Sequence, residues 1–235
     1  STPAGTNNID FATIASTGDF QDFGDFITTG FGRAAVANST RGVFLGKAIA
    51  PSSTNHIEYI TIAATGNSVD FGDLTAARHT GGAAGNASRG IAVGGNRSSG
   101  TMDFVTISTT GNAVDFGDMI QVHRDHGTGG NSTRGIFDGG SGNSDQRTNV
   151  IDFITIATLG NSIDFGDNSD ANTTSQCASA SSPTRMVTAG GNLSSGTVNT
   201  MHFVEIATTG NSQDFGDLQT LGEVGNAVSS GHGGL

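Results

Sequence analysis

The tetrapeptide Asp-Phe-Gly-Asp occurs five times, at Asp22–Asp25, Asp70–Asp73, Asp115–Asp118, Asp164–Asp167 and Asp214–Asp217, in steps of 48, 45, 49 and 50 residues. The same apolar run and turn precedes each copy: IDFATIASTGDFQ, IEYITIAATGNSV, MDFVTISTTGNAV, IDFITIATLGNSI and MHFVEIATTGNSQ. A period of this length marks one supersecondary unit that cannot bury its apolar faces alone and must stack on its neighbours.

The second unit shows what that element is. Residues 79–87 (HTGGAAGNA) are small and suit an innermost strand A, where backbones converge. Ser88-Arg89-Gly90 turns into strand B, Ile91-Ala92-Val93, which Gly94-Gly95 closes. After a polar loop, Met102–Ser108 reads as strand C with both faces largely apolar, as expected of a strand covered by sheets on each side. Thr109-Thr110-Gly111-Asn112 is hairpin chemistry, and Ala113–Asp118 forms a short outer strand D. The chain has 37 Gly, 14 Phe, no Trp and one Tyr, with the glycines in no three-residue period. That composition, with Val, Ile and Thr in short runs, indicates many strands and tight turns.

A basic residue, a small-residue strand, a strand ending in Gly-Gly, an aromatic strand and a closing aromatic resemble the kelch repeat. Arg78, Gly94-Gly95, Phe104 and Phe116 occupy those places in the second unit. Phe stands where kelch repeats carry Trp, and one unit has Gly46-Lys47 in place of Gly-Gly. The run from Arg-Gly-Val-Phe through Ile-Asp-Phe-Ile-Thr-Ile-Ala to Asp-Phe-Gly-Asp also looks like repeats in structural and tail-fibre-like proteins of marine bacteriophages. These resemblances imply a kelch-like β-propeller displayed on a virion or secreted.

The expected fold is therefore all-β: one domain, a five-bladed propeller with four antiparallel strands per blade. The units fall at about 26–73, 74–118, 119–167 and 168–217. Residues 1–25 carry only strands C and D, and residues 218–235 only strand A and the start of B. Each end is incomplete, but together they amount to one repeat, so the fifth blade is expected to be shared by the two termini. Closure would remove the exposed edges between first and last repeats. The chain begins in mid-repeat without Met, which suggests a processed or excised end.

Charge narrows the partners. The net charge is −11, and ten of the 21 acidic residues belong to the tetrapeptides. Such a surface opposes binding to nucleic-acid phosphates, which needs Lys and Arg, and to anionic membranes. No apolar run approaches membrane-spanning length. The single cysteine, Cys177, excludes an internal disulfide framework and reads as a small structural thiol.

Most recurring residues have structural readings. The phenylalanine of each tetrapeptide should wedge between blades, worth about 2–3 kcal/mol per ring. The glycine after it suggests a bulge or a close backbone approach. The flanking aspartates keep the outer edge polar. The alternative, a repeated cation site, lacks the alternating oxygen ligands of calcium loops. Arg41, Arg89, Arg134 and Arg185 open strand B in four units, with Gly233 there in the fifth. They lie near one mouth of the expected axial channel, where they either bind an anion or, the favoured reading, tie down carbonyls of neighbouring turns. Six Asn-x-Ser/Thr sequences reflect composition in a chain this rich in Asn, Ser and Thr.

Antiparallel strands place A–B and C–D turns on one face, B–C and D–A connections on the other. The first face is nearly invariant from unit to unit; the second varies in length and chemistry. The variable face is the expected binding surface. Its candidate ligand-binding residues are Arg78, His79, Arg97, His123, Arg124, Asp125, His126, Arg147 and Asn172; other non-repeated polar residues there include Lys47, His56, Asp145 and Asp170. His123 and His126 lack nameable third and fourth zinc ligands, so no metal is assigned. No cofactor or catalytic residue is assigned either.

The expected function is a non-enzymatic binding module, an adhesin at a virion surface or outside the cell that recognises a host-surface glycan or protein. The alternative is a structural spacer, cap or decoration protein contacting other virion proteins or other copies of itself. A glycoside hydrolase would need two or three unique acids in the axial channel. The non-repeated acids are Asp19, Asp125, Asp138, Asp145, Asp170, Glu205 and Glu223. Of these, Asp138 and Glu205 break the repeat pattern, and the sequence offers neither an obvious partner.

Overall fold

A computed structural model describes residues 6–49, 52–79, 81–95, 100–122, 124–142, 147–168, 176–222 and 227. The described chain is all-β. An N-terminal hairpin, β1 (Asn8–Phe11) and β2 (Gln21–Asp25), precedes four antiparallel four-stranded sheets. The first sheet is β3 (Ala34–Ala37), β4 (Arg41–Ile49), β5 (Ser52–Thr61) and β6 (Val69–Asp73). The second is β7 (Gly82–Gly85), β8 (Arg89–Val93), β9 (Thr101–Thr106) and β10 (Val114–Asp118). The third is β11 (Gly127–Gly130), β12 (Arg134–Asp138), β13 (Val150–Thr155) and β14 (Ile163–Asp167). The fourth is β15 (Ala178–Ser181), β16 (Arg185–Ala189), β19 (Thr200–Glu205) and β20 (Gln213–Asp217); the small hairpin β17 (Asn192–Leu193) and β18 (Gly196–Thr197) is inserted before β19. The A-to-D order holds in every four-stranded sheet; in the second, strand A is shorter than the sequence suggests and strand B, which starts at Arg89, is longer.

Burial lies between sheets. Val43, Leu45, Ile57 and Phe71 of the first sheet pack with Ala92, Val105 and Ile107 of the second. Ile91, Met102 and Phe116 pack with Phe137 and Ile154 of the third, and Ile136, Ile151 and Phe165 with Met186 and Val204 of the fourth. A chain with 34% apolar residues supports this architecture because each thin sheet shares its core with the next.

The tetrapeptide is half of a clamp between sheets. Each copy carries a β-bulge against strand C, at Ile9/Asp10, Ile57/Glu58, Asp115/Gly117, Ile151/Asp152 and Met201/His202. In four copies the edge facing away is gripped by the Gly-Asn turn of the following sheet. The Gly66, Gly111, Gly160 and Gly210 amides donate to the Phe23, Phe71, Phe116 and Phe165 carbonyls at 2.7–2.8 Å. The Asn67, Asn112, Asn161 and Asn211 side chains accept the Asp25, Asp73, Asp118 and Asp167 amides at 3.0–3.1 Å. A Cβ on Gly24, Gly72 or Gly117 would lie 2.4 Å from the gripping carbonyl oxygen, so this position admits only glycine. The aspartates do more than keep the edge polar: in two copies the first carboxylate accepts the bulge amide, Gly117 N–H to Asp115 and Gly216 N–H to Asp214.

The arginines run across each sheet. The guanidinium of Arg41, Arg89, Arg134 and Arg185 stacks 4.2–4.7 Å over Tyr59, Phe104, Phe153 and Phe203 respectively. Those rings meet Phe71, Phe116, Phe165 and Phe215 edge-on. Arg41, Arg89 and Arg134 then donate to the carbonyls of Ile107, Ile156 and Ile206 in the following sheet. The asparagines of the A–B turns are also committed: Asn38, Asn86 and Asn131 donate to carbonyls of Ala87, Ser132 and Pro183 in the next such turn.

Candidate functional site

These bonds account for the invariance of one face: its turns join sheet to sheet. The opposite face carries what repetition does not require. The end of β4 and the start of β5, read from sequence as a loop, form a ribbon in which Lys47 pairs with Thr54, Ala48 with Ser53 and Ile49 with Ser52, past a bulge at Gly46. Phe31 pairs with Ala48 and His79 with Gly46, so two neighbouring D–A connections brace the ribbon. His79 is half-buried, its Nδ1 3.2 Å from Ser53 Oγ.

On the same face Arg124, Asp125 and Arg147 come together. The Arg124 amide donates to the Ser141 carbonyl and the Ser141 amide to that of Arg124, each at 2.9 Å, and Ser141 also bridges to Arg147. Arg124 Nη1 lies 2.9 Å from Asp125 Oδ2. The Gln176 amide donates to the Asp125 carbonyl at 2.8 Å, bringing in the next D–A connection. Asp125 (φ 57°) and Gln176 (φ 58°) are the non-glycine residues with positive φ among those described. An L-residue there bears roughly 1–3 kcal/mol of strain, which commonly collects at ligand-binding sites. Arg147 Nη1 is buried and has no hydrogen-bond partner among the described residues. Ser141 and Gln176 have no signal in the sequence beyond departing from the repeat; their roles arise from loops meeting in space.

Other candidates are interior. Arg78 is fully buried, and its Nη2 donates to Asp103 Oδ2 at 2.8 Å. His126 is buried edge-on against Phe137, and a Cβ on Gly81 would lie 2.7 Å from its ring. Lys47 is buried in an ion pair with Glu58. Exposed residues on the variable face were expected at these places; for Arg78 and Lys47 the physical reason for burial is a set of acids one layer below, whereas His126 packs against the Phe137 ring. Arg97, His123, Asn172, Asp145, Asp170 and Glu223 lie outside the described residues.

Those acids occupy one strand-C position, Glu58, Asp103 and Asp152, with His202 there in the fourth sheet. All four are buried, each with its own partner set. Glu58 takes Lys47, Ser68 and the Ile27 amide; Asp103 takes Arg78 and the Thr75 amide and hydroxyl. Asp152 accepts from Ser162 Oγ at 2.5 Å. His202 Nε2 lies 2.6 Å from Asp138 Oδ2 and 3.0 Å from Asn168. Asp138 thus has a partner, as does Glu205, which receives Arg185 Nη2 at 2.6 Å; both are basic partners that the sequence does not point to.

The carboxyl groups titrate in opposite senses. Burial raises Glu58, but hydrogen bonds from Lys47, Ser68 and Ile27 outweigh it, and its pKa is lowered. Burial raises Asp138 too, but His202, Thr188 and Asn168 bring it below the usual range. Asp152 has no cation beside it among the described residues: burial pushes it up to about 6 against the Ser162 and Ile120 hydrogen bonds. Lowered groups stabilise the fold above the unfolded carboxylate range, an effect lost as pH falls through their folded pKa. Asp152 does the reverse, favouring the fold at low pH and losing that contribution as pH rises from about 4 to about 6. Asp152→Asn is therefore expected to raise stability at pH 7–8 by about 2–3 kcal/mol, with little change at pH 4. Urea titrations across that range measure this; equal effects at both ends would refute it.

Between the innermost strands of the sheets lies a cavity of about 490 Å³. Ala35, Ala83, Thr128, Ser179 and Ala227 all line it, each six residues before Arg41, Arg89, Arg134, Arg185 and Gly233 respectively. Five equivalent positions of the repeat thus share one wall. Of the four strand-B arginines only Arg134 lines this cavity.

No protein-family profile matches the sequence, and no curated protein does. Solved structures do match. One, titled "Structure of YjhT", superposes with a TM-score of 0.77 over 97% of this chain and 88% of that one, at 7% sequence identity. Likeness at that identity concerns fold alone. The architecture is all-β and propeller-like.

Proposed function

We propose that the chain is a five-bladed, kelch-like propeller, closed where residues 218–235 and 1–25 share a blade, acting as a non-enzymatic binding module through its B–C/D–A face. Support for closure is the shared cavity wall, where Ala227 stands beside Ala35, Ala83, Thr128 and Ser179. The observation that carries the binding reading is the junction of Arg124, Asp125, Ser141, Arg147 and Gln176. There two strained non-glycine residues touch and a buried Arg147 N–H points at no described acceptor. Guanidinium and carboxylate groups on a braced scaffold suit the hydroxyl and carboxylate groups of a host-surface glycan, or a polar protein epitope. Display on a virion or secretion follows from the bacteriophage resemblance of the repeat.

Glycan arrays and host-cell adsorption with the isolated domain test this. Arg124→Ala and Arg147→Ala are expected to lower any binding at least about tenfold, the loss of one charged hydrogen bond. Binding that survives both changes places the ligand elsewhere. The alternative, a spacer or decoration protein, draws on the exposed Val69, Val114 and Ile163 that open successive outer strands. A fixed oligomer by mass measurement, abolished by Val114→Lys, would favour it.

A further inference from the structure

The clamp that joins successive sheets is made four times in the described chain, and both halves of a fifth are present, unjoined. Strand β20 has the same Asp-Phe-Gly-Asp and the same bulge, and Gly216 has the same positive φ (130°). Among the described residues its outer edge is open: Phe215 is 48% exposed where Phe71, Phe116 and Phe165 are buried, and no described atom lies within 4 Å of a Cβ on Gly216. The other half is the turn between β1 and β2. Thr17-Gly18-Asp19-Phe20 stands where Thr65-Gly66-Asn67-Ser68 stands in the first sheet. Gly18 likewise has nothing within 4 Å among the described residues; Phe20 is 73% exposed, and Ile14 is fully exposed where Ile107, Ile156 and Ile206 of the second, third and fourth sheets are buried and Ile62 of the first is 45% exposed.

We infer that the Ile14–Phe20 turn docks on the free edge of β20 in the same chain, with the Gly18 amide donating to the Phe215 carbonyl, the Phe20 amide to the Asp217 carbonyl, and the Asp19 carboxylate accepting the Asp217 amide. This rests on the closed-ring reading and names the contact that closes its outer rim. Two observations assign the turn to its own chain. Strand β2 is already fixed to the first sheet by the Gly66 and Ser68 amides, and Ala227, beyond β20, lines the cavity with Ala35 of that sheet. The two halves therefore approach one sector of one molecule.

The fifth seam differs chemically from the other four. The carbonyls of Ile107, Ile156 and Ile206 each accept an arginine of the preceding sheet, so the series pairs Ile14 with Arg185. Arg185 is instead held by Glu205, where the other sheets have Thr61, Thr106 and Thr155. Asp19 replaces the neutral asparagine, and Phe20 replaces Ser or Ala, so this seam relies on an apolar ring and a carboxylate.

Amide hydrogen exchange followed by NMR on the whole chain tests the docking. The Gly18 and Phe20 amides are expected to exchange within about tenfold of Gly66 and Ser68, the corresponding amides of a closed clamp. Gly216→Val should release Gly18 and Phe20 while leaving Gly66 and Ser68 protected. Free exchange of Gly18 and Phe20 in the unaltered chain overturns the inference, as does protection that disappears on dilution, which would make the occupant a second copy. Solution scattering on the same sample separates the two readings. A closed-ring profile with unprotected Gly18 and Phe20 removes this clamp alone, whereas an open-arc profile removes the ring as well.

Discussion

Gly72→Ala is expected to destabilise the protein by roughly 3–5 kcal/mol, the strain of a side chain at a glycine-only dihedral plus the loss of two or three hydrogen bonds. Gly72 has φ 145°, and its new Cβ would sit 2.4 Å from the Gly111 oxygen. Neither partner is a flexible side chain; both are backbone in bonded strands and turns, so relief requires opening the clamp between first and second sheets. The melting temperature should fall by about 10 °C for a domain of this size. Gly111→Ala is the control: its φ is 155°, but a Cβ there meets nothing within 4 Å, so it should lose only the backbone contribution. Equal effects of the two substitutions in thermal melts would mean that the clamp contributes nothing beyond local backbone preference.

Arg78→Met is the second large effect, about 3–5 kcal/mol, because it strands a buried carboxylate. Asp103 is 1% exposed; after the change it would keep only the Thr75 amide and hydroxyl. The guanidinium gains little from pairing in absolute terms, since burying both charges is itself unfavourable. Removing one partner is what exposes that penalty. Arg78→Met with Asp103→Leu should therefore recover most of the lost stability, and the cycle built from chemical denaturation of the four proteins should show strong coupling. Additive effects would refute the pair. If Arg78 instead contacted ligand, its loss would change binding at constant stability.

These two sites show how unevenly the sequence spoke. Gly24, Gly72, Gly117 and Gly166 were legible, because a glycine recurring inside a strand at every repeat implies a bulge or a close approach, and both occur. The four strand-B arginines were legible in kind: their guanidinium groups were expected on carbonyls, and three donate to carbonyls of the following sheet. Their stacking on the strand-C rings was not anticipated. The burial of Arg78 and Lys47 was hidden for one reason. A charged residue in a non-repeated loop reads as exposed unless its partner is known, and Asp103 and Glu58 lie 25 and 11 residues away in sequence on another strand. The same distance hid the partner of Asp138, His202, which stands 64 residues on in the next sheet. The junction at Arg124 was half visible: the cluster was named, but Ser141, Gln176 and the strain at Asp125 depend on three loops converging.

From the sequence alone came the repeat, its four-strand grammar, the contrast between a monotonous face and a varied one, and the roles of residues whose neighbours recur in register. Periodicity can carry that much because every unit meets the same surroundings. Tertiary structure decided which charges are interior, what neutralises each one, and which loops share the candidate surface. Those outcomes depend on contacts between units at positions where the repeat is broken, and a broken pattern reveals that something differs without revealing what it touches.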